Sequence, residues 1–540
     1  MLRLACVVSV CLAGLPAQEP AQQPAQQPAQ VRVDLPAAPA AKCANRYLVV
    51  AVDLPGEQDA EPGYRRAASR AALFHEGNVF DWDGRDFEAL AAALRERSPA
   101  NVLFVVRPAA LDVVLHRRLL LLSLKLDSDA FADFGFGYLT AATGEGCERL
   151  WQRNEELHKK TPIAGEWWQA SVCSGDKSFA IADSPPPIAR AAGFHGAHHY
   201  FGTGDAAQEK AVERALAALP KAAVAEFTGC GDPQGIWLFS DRRNMQRDLH
   251  WDYEPERVGQ DPDGKMPRLL AARFRGLSLP SPIVWSGTCH SGAVDRVFVE
   301  GDIVSTFGRT ERATVHRLKP EESLSLAWID AGAVALCVPI GANHGLAVSR
   351  ETAFALGNGA SLGETLKSTW DDVCFGAGGE LRLDLPVEGG PHLHGEAVMQ
   401  GGGANRLLIG DPALRPFRKV PDPQQSVATA AADGGFRIVV ERKEGFAASA
   451  WDMYGQTRPD DWRVAVRVLL ADLVPAGAKV LTITCSATGA DGHLLPYTAR
   501  RAMIEDLDGE RWLHVQANGP RKEVENKAVR AVFEVAVEAP

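Results

Sequence analysis

The chain has 540 residues and a formal net charge of -11, with 46% hydrophobic and 23% charged residues. This composition is typical of a soluble globular protein with a substantial core, and the length predicts roughly two to four domains. No cluster of lysines and arginines offers a track for phosphates, so nucleic acid is excluded as a partner.

The first residues have the pattern of a targeting segment. A basic residue precedes an apolar run of secretory length at residues 4–15, and cleavage after Ala17 is expected. The run is too short to cross a bilayer. A lipoprotein acylated at Cys11 is the alternative, although Val10 is bulky where a small residue is wanted. We therefore predict a signal peptide at residues 1–17, a secreted, periplasmic or cell-surface location, and no membrane span.

Residues 18–42 are rich in proline, alanine and glutamine and have no apolar periodicity. Proline removes backbone donors and favours extended chain, so this tract is predicted to be a linker. Folded sequence is expected to begin near Cys43. The cysteines beyond the signal peptide are scattered without a CxxC pair, which excludes a small disulfide scaffold and a zinc ribbon.

Short apolar runs alternate with helical patterns from Cys43 to about residue 415. The runs are rich in β-branched or aromatic residues and too short for buried helices, which indicates buried strands. They are residues 47–52, 101–107, 223–229, 283–288 and 334–341. The amphipathic segments between them include 86–97, 145–158, 208–219 and 362–370. This alternation predicts an α/β fold, a mostly parallel sheet with helices on both faces, whose ligands bind at the carboxyl ends of strands.

After Val420 the pattern changes to alternating strands separated by Gly, Asp and Pro turns, with few helical segments. The predicted unit at residues 421–540 is therefore all-β. Its size is typical of an immunoglobulin-like sandwich, although it lacks the Cys and Trp signature of antibody domains and contains only Cys485.

Two strand ends carry the residues with the most reactive chemistry. Residues 227–232 read Phe-Thr-Gly-Cys-Gly-Asp, and residues 285–292 read Trp-Ser-Gly-Thr-Cys-His-Ser-Gly. A thiol nucleophile needs an exposed turn, small neighbours that let a carbonyl approach, and backbone N–H groups that hold the oxyanion. Gly287, Ser291 and Gly292 provide the small neighbours of Cys289. Cys289 is therefore the predicted nucleophile.

The Cys-His-Ser-Gly segment that begins at Cys289 resembles the nucleophile segment of the metacaspases, and the apolar strand before it resembles that of caspase-like peptidases in general. In that clan the catalytic histidine stands upstream, in a pattern of hydrophobic strand, Ser or Thr, Gly, His, Gly. The same frame here is residues 227–231, with Cys230 in the histidine position. The residues implied to form the turns and the oxyanion site are Gly229, Gly231 and Gly287.

Three further segments, at residues 327–333, 359–364 and 408–415, resemble the closing part of the gingipain-like cysteine peptidases. That family often ends its catalytic domain with a leucine-rich strand and a Gly-Asp-Pro-x-Leu segment, and often carries a preceding α/β subdomain and a following immunoglobulin-like module. The resemblance implies three folded units: an N-terminal α/β subdomain at 43–165, a gingipain-like caspase-fold catalytic-type domain at 166–417, and the β-sandwich at 421–540.

The cysteine at position 230 removes the group that would form the Cys289 thiolate and protonate the leaving amine. Without such a base, Cys289 is expected to keep a pKa of roughly 8.5, and general acid–base help is worth ~10²–10⁴ in rate. His290 is one replacement base, and the histidines at 195, 198 and 199 are another group to test. A disulfide between Cys230 and Cys289 is a further hypothesis, which requires Cβ atoms about 3.5–4.5 Å apart.

Other predicted site residues have less specific patterns. Asp232, Trp237, Asn343 and His344 follow strands and are predicted to line a substrate cleft. The Asp-Pro-Asp-Gly segment at residues 261–264 hints at calcium but lacks the ligand spacing of a recognised loop. No cofactor and no metal site is therefore predicted.

Three functions remain open from the sequence. The first is an exported cysteine peptidase with weakened catalysis, acting on a peptide or protein substrate. The second is a non-catalytic pseudopeptidase that binds a peptide or a surface partner in the retained cleft. The third is a thiol redox protein that uses Cys230 and Cys289. Substrate specificity and oligomeric state do not follow from the residues.

Overall fold

A computed structural model describes residues 30–36, 46–54, 61–172, 185–200, 206–229, 231–237, 268–299, 314–341, 347–383, 385–387, 403–423, 425–443, 461–475, 477–507, 509–520 and 528–538. The helices are α1 (Gly63–Phe74), α2 (Phe87–Arg97), α3 (Val113–Ser123), α4 (Gly144–His158), α5 (Pro187–Ala191), α6 (Ala206–Ala218), α7 (Ala271–Arg275), α8 (Leu324–Ala331), α9 (Ala347–Asn358) and α10 (Leu362–Gly376). Among these helices none combines the length and the apolar character needed to cross a membrane.

The strands of the α/β part are β2 (Tyr47–Val52), β3 (Asn78–Trp82), β4 (Asn101–Val105), β5 (Gly135–Leu139), β6 (Glu166–Val172), β7 (His195–Tyr200), β8 (Ala222–Gly229), β9 (Gly231–Asp232), β10 (Gly235–Trp237), β11 (Arg268–Leu270), β12 (Ile283–Ser286), β13 (Arg296–Val299), β14 (Thr314–Arg317), β15 (Ala335–Pro339) and β16 (Arg406–Ile409). The others are β1 (Val31–Asp34), β17 (Gln425–Ala432), β18 (Gly435–Arg442), β19 (Asp461–Leu469), β20 (Val480–Gly489), β21 (Leu494–Leu495), β22 (Thr498–Leu507), β23 (Glu510–Pro520) and β24 (Ala528–Glu538).

Ten strands form one large sheet in the order β3-β2-β4-β5-β16-β15-β12-β8-β6-β7. Neighbours from β3 to β5 and from β15 to β7 are parallel, whereas β16 runs antiparallel to β15. The coarse prediction, an α/β fold with a mostly parallel sheet and flanking helices, is confirmed. The sheet continues across the predicted boundary at residue 165, because β2 to β5 and β6 to β8 belong to the same sheet.

The strands in the middle of this sheet are apolar because both of their faces are covered. Every residue of β2, β5, β12, β15 and β16 is buried. A strand buried on both faces has no polar alternation and becomes a continuous apolar run. This explains why β2, β12 and β15 were recognisable from the sequence.

Two segments that carry the resemblance to gingipain-like peptidases contact each other. The helix α10 begins after Ser361, whose Oγ accepts a hydrogen bond from Glu364 N at 3.1 Å while the Glu364 carboxylate accepts one from Ser361 N at 2.7 Å. In the first turn of α10, Gly363 N donates to Pro412 O at 2.8 Å. A Cβ atom at Gly363 would lie 2.8 Å from the same oxygen, so the close approach requires glycine.

The C-terminal part has a hydrophobic core of its own, made by two antiparallel sheets. One sheet has the order β1-β20-β24-β18-β17, with β21 added to β20, and the other has the order β19-β23-β22. Phe436, Leu481, Leu513 and Phe533 are almost fully buried in this core. The prediction of an all-β unit after residue 421 agrees with these sheets. Its immunoglobulin-like identity stays a prediction.

The linker prediction for residues 18–42 is wrong for residues 31–34. These residues form β1, which pairs antiparallel with β20 from Val31↔Ile483 to Asp34↔Val480. Val31 and Val33 alternate with polar residues and pack against the core of the C-terminal sheets. A strand of this length was overlooked because its alternation is short and lies next to a proline-rich tract.

Buried polar contacts join the C-terminal sheets to the α/β part. Lys367 of α10 contacts Asp371 at 2.6 Å and Glu505 of β22 at 2.5 Å, and Glu505 also accepts from His514 at 2.7 Å. Phe131 stacks on the His514 ring with a centroid distance of 4.2 Å. A buried charge is tolerated where oppositely charged or hydrogen-bonding partners surround it. Lys367 and Glu505 have such partners. The two parts are therefore joined by specific contacts as well as by the chain.

Candidate active site

Cys289 lies in the turn that follows β12, three residues after the last strand residue, Ser286. The strand β12 is central in the sheet, because β8 and β15 flank it. Cys289 is half-buried, whereas Thr288 and Ser291 on either side of the turn are buried. The thiol is thus held at the carboxyl end of a central strand, where sheets of this kind bind ligands.

Short polar side chains close the turn around Cys289. The Ser286 hydroxyl oxygen accepts from Thr288 N at 3.1 Å and from the Ser291 hydroxyl at 3.1 Å. The Ser291 carbonyl in turn accepts from the Ser325 hydroxyl of α8 at 2.6 Å. The Ser286 and Ser291 hydroxyls and the Thr288 N–H are hydrogen-bonded, so the backbone on both sides of the thiol has a defined geometry.

The second half of the turn is fixed to the segment that follows β15. His290 N donates to Gly341 O at 2.9 Å, and Gly292 N donates to Pro339 O at 2.8 Å. His290 has a φ of 56°, in the left-handed region that residues other than glycine rarely adopt. Such a conformation persists only where its surroundings impose it, and it is common at functional sites. The role of His290 as a base stays a prediction.

A buried ion pair supports the turn from below. Arg406 of β16 and Glu351 of α9 are both fully buried, and Arg406 Nε donates to the Glu351 carboxylate at 2.8 Å. The same guanidinium donates to the carbonyl of Ser286 and, at 3.0 Å, to the carbonyl of Cys337. Arg406 therefore links the carboxyl end of β12 to β15, directly beside the Cys289 turn.

The end of β8 lies next to this turn. The strands β8 and β12 are parallel, with Phe227 opposite Ser286, and Gly287 N donates to Phe227 O at 2.8 Å. Gly231 approaches the turn so closely that a Cβ atom there would lie 2.2 Å from Thr288 Cγ2. The residues around position 230 thus pack against the Cys289 turn. Cys230 itself, with its predicted disulfide to Cys289, lies outside the described residues.

The glycines predicted for the turns and the oxyanion site have different surroundings. The Gly287 N–H is engaged by the Phe227 carbonyl, so Gly287 joins the two strand ends instead of offering that donor to an oxyanion. Gly229 has a φ of 155°, which its lack of a side chain permits, and Gly231 is buried. An oxyanion role for Gly229 and Gly231 stays a prediction.

The predicted cleft residues are only partly described. Asp232 is 2% exposed, and its Oδ1 accepts from Gln234 N at 2.8 Å and from Gly235 N at 3.0 Å. Its carboxylate thereby closes a turn between β9 and β10. The Trp237 backbone belongs to β10, but its side chain lies outside the described part, as do Asn343, His344 and the 261–264 segment.

The histidines at 195, 198 and 199 lie in β7, at the edge of the sheet. Since β8 and β6 separate β7 from β12 and neighbouring strands lie about 4.8 Å apart, the backbone of these histidines lies about 14 Å from β12. Burial lowers the pKa of His199, and its ring lies 5.4 Å from that of Trp168. This position favours a polar strand edge over a replacement base.

Among the cysteines of the described residues, Cys289 is the one whose side chain is not fully buried. The other four are buried: Cys147, Cys337, Cys374 and Cys485. Burial raises the pKa of each of those four thiols, in the case of Cys485 to about 12. Because the thiolate is the reactive form, a thiol reagent at neutral pH should reach Cys289 first among these five.

A buried carboxyl group lies in β8 close to the site. Glu226 accepts from Trp167 Nε1 and from Gln169 Nε2, both at 3.1 Å, and burial raises its pKa to about 7. Its register partner in β12 is Trp285, which stacks on Trp167 at a ring distance of 6.5 Å. The protonated form is therefore favoured in the folded protein below neutral pH.

We expect Glu226→Gln to remove a pH dependence of stability. The carboxyl group titrates near pH 4.5 when unfolded and near 7 when folded, so its protonated form stabilises the fold at low pH. That stabilisation is lost as the pH rises through this window, by about 3 kcal/mol in total. Urea unfolding of both proteins at pH 5 and pH 8, followed by tryptophan fluorescence, measures it. An equal pH dependence in the variant would contradict the assignment.

The chain is similar in structure to solved cysteine peptidases of the gingipain type. The Arg-specific cysteine proteinase gingipain R matches with 11% identity and a TM-score of 0.39, over 91% of this chain and 97% of its own. The complex of Porphyromonas gingivalis RgpB pro- and mature domains matches with the same identity and TM-score, over 91% and 99%. A structure described as a protease matches with 9% identity and a TM-score of 0.39, over 92% and 98%. No family model and no curated protein matches the sequence.

Sequence reasoning missed the ion pair beneath the turn. Arg406 is a charged residue directly before the apolar run Leu407, Leu408 and Ile409. A charge next to a buried strand was the available signal for a buried ion pair. Its partner Glu351 lies 55 positions upstream, in a helix with no distinguishing motif. A pair of this kind is visible only once β16 and α9 are packed together.

Proposed function

We propose that this protein is an exported cysteine peptidase of gingipain-like architecture in which Cys289 is the nucleophile. Turnover is weak, because Cys230 stands where the catalytic histidine is expected. The observation that carries the proposal is the position of Cys289: half-buried, in a tightly hydrogen-bonded turn at the carboxyl end of a central strand, beside the end of β8.

The proposed chemistry is acyl transfer. The Cys289 sulfur bonds to the carbonyl carbon of a peptide, the C–N bond breaks, and the amine leaves with a proton. Water then hydrolyses the thioester and restores the thiol. In a complete dyad an imidazole moves these protons. With a second thiol in its place, water supplies and removes them, which accounts for the slow turnover.

Export and the C-terminal unit complete the proposal. The apolar run at residues 4–15 has the length and flanking residues of a secretory signal. The two antiparallel sheets around a separate core support an immunoglobulin-like module at residues 421–540. The substrate is a peptide or protein.

The decisive experiment combines a thiol-directed probe with a mixed-peptide cleavage assay on the full chain. We expect the native protein to be labelled at Cys289 and to cleave peptides slowly, and Cys289→Ala to lose both properties. The matched control is Cys485→Ala, because Cys485 is buried in the C-terminal core. It should behave as the unaltered protein does. Peptide cleavage that survives Cys289→Ala would rule out this mechanism.

The alternative is a pseudopeptidase that retains the cleft for binding. The cysteine at position 230 favours it, since loss of the base removes most of the expected rate. In that case Cys289 would still react with a small thiol reagent, but no peptide would be cleaved. The combination of labelling without cleavage therefore distinguishes the binding protein from the peptidase.

A further inference from the structure

A cluster of two histidines and one aspartate lies near the centre of the sheet, at the opposite end of the strands from Cys289. In the antiparallel pair of β16 and β15, Ile409 lies opposite Leu336, so Asp411 lies beyond the amino end of β15. Cys289 instead belongs to the turn that contacts the carboxyl end of β15. The peptidase proposal does not use this cluster.

Three separate elements bring the cluster together. His75 follows the end of α1, His158 is the last residue of α4, and Asp411 follows β16. His75 Nε2 and His158 Nε2 each lie 2.7 Å from the same oxygen, Asp411 Oδ2. The potential ligand atoms of the three side chains all lie within 4.8 Å of one another.

The Asp411 carboxylate is oriented by other groups. Its second oxygen, Oδ1, accepts from the Tyr47 hydroxyl at 2.8 Å and from Ala413 N at 2.9 Å, so Oδ2 is directed at the two imidazoles. Asp411 N is held by the Asn154 side chain at 3.2 Å. Outer hydrogen bonds of this kind orient the ligands of metal sites and tune their affinity.

The cluster is partly open to solvent. The Asp411 side chain is fully buried, whereas the side chains of His75 and His158 are 14% and 17% exposed. The two imidazoles are therefore the part of the cluster that faces solvent, and both contact the buried carboxylate oxygen. The Asp411 carboxylate also supplies an anionic oxygen in contact with both imidazoles, which favours a cation.

The donor set fits a transition metal such as zinc and does not fit calcium. Two imidazole nitrogens and one carboxylate oxygen, with a fourth position for water, is a ligand set that zinc uses, whereas calcium takes six to eight oxygens. Bond lengths of about 2.0–2.1 Å place tetrahedral ligands about 3.3 Å apart. The present nitrogen-to-oxygen distances of 2.7 Å would need to widen by only about 0.6 Å.

We propose that His75, His158 and Asp411 bind one Zn²⁺ ion. The ion links α1, α4 and the segment after β16. Zinc replaces the two hydrogen bonds to Asp411 Oδ2, and each neutral imidazole then carries its proton on Nδ1. The ion stabilises the amino-terminal edge of β15 and the end of β16. The site is structural and separate from the chemistry of Cys289.

The test uses full-length Cys289→Ala protein, so that zinc cannot bind the nucleophile, after removal of metals by a chelator. Calorimetric titration with Zn²⁺ should show one saturable site per chain, and excess Zn²⁺ should raise Tm by roughly 5 °C. Co²⁺ in place of Zn²⁺ should give the visible absorption of a tetrahedral site. Absence of saturable 1:1 binding would overturn the proposal and leave a hydrogen-bonded clasp only.

His158→Gln separates the two roles of that side chain. The glutamine amide can still donate a hydrogen bond to Asp411 but is a poor zinc ligand, so the metal-free Tm should stay near that of the parent while the Zn²⁺-dependent rise is lost.

Tyr47→Phe should weaken Zn²⁺ binding about 10–100-fold, because it removes the donor that orients Asp411. His493→Gln, at an exposed histidine of the C-terminal sheets, is the control and should bind Zn²⁺ normally. Normal Zn²⁺ binding by His158→Gln would overturn the assignment of ligands.

Discussion

Replacing Cys230 with histidine is expected to raise kcat/KM for peptide hydrolysis by about 10²–10⁴-fold. The substitution restores an imidazole to the strand end that packs against the Cys289 turn, as shown by the close approach of Gly231 to Thr288. An imidazole promotes thiolate formation and then protonates the leaving amine, whereas a thiol does neither well. Initial rates on a mixed-peptide substrate, with the enzyme concentration determined by active-site labelling, measure the effect.

Two controls make this result interpretable. Cys230→Ala removes the thiol without adding a base and should not raise the rate under reducing conditions. If it does so without reductant, a disulfide with Cys289 limits the native protein. Cys230→His combined with Cys289→Ala should be inactive. Equal rates for Cys230→His and Cys230→Ala would mean that the site has lost more than its histidine.

Arg406→Met is expected to lower the free energy of unfolding by about 3–5 kcal/mol. The substitution leaves the Glu351 carboxylate fully buried without its partner, and it removes the donor from the carbonyls of Ser286 and Cys337. Because the Ser286 carbonyl belongs to the last residue before the Cys289 turn, labelling of Cys289 should slow as well. Urea denaturation and the rate of thiol labelling measure the two effects.

The helix α9, which carries Glu351, provides a matched control for Arg406. Arg350 forms an ion pair with Asp372 at 3.3 Å, but both side chains are about two-fifths exposed. Arg350→Met should therefore change stability by less than about 1 kcal/mol. The double substitution of Arg406 and Glu351 by methionine should recover part of the loss, since it removes both buried charges. A loss below about 1 kcal/mol in Arg406→Met would show that the pair does not support the turn.

Strands buried on both faces were the part of the fold most readily predicted. The runs at β2, β12 and β15 are apolar at nearly every position, and continuous burial is the physical cause of that pattern. The strand β6 was missed because Glu166 and Gln169 interrupt its apolar character. Gln169 is tolerated inside the sheet because Glu226 accepts a hydrogen bond from it, a contact between two strands.

The sequence also could not predict groups assembled from distant segments. His75 and Asp411 are 336 positions apart, and His158 and Asp411 are 253 positions apart, so no local spacing marks them as neighbours. A metal site was not predicted for this reason. The strand β1 has a local alternation of valines and polar residues, but only its pairing with β20 distinguishes it from the proline-rich tract around it.

The sequence by itself located the Cys289 turn and the cysteine at position 230, because small residues directly after an apolar strand form a contiguous pattern. The tertiary structure decided what surrounds that turn: Phe227 opposite Ser286, Gly231 against Thr288, and the buried pair of Arg406 and Glu351 underneath. These contacts depend on the register and order of strands, which follow from the packing of the whole sheet. A motif specifies which residues are available, and only the fold specifies which of them meet.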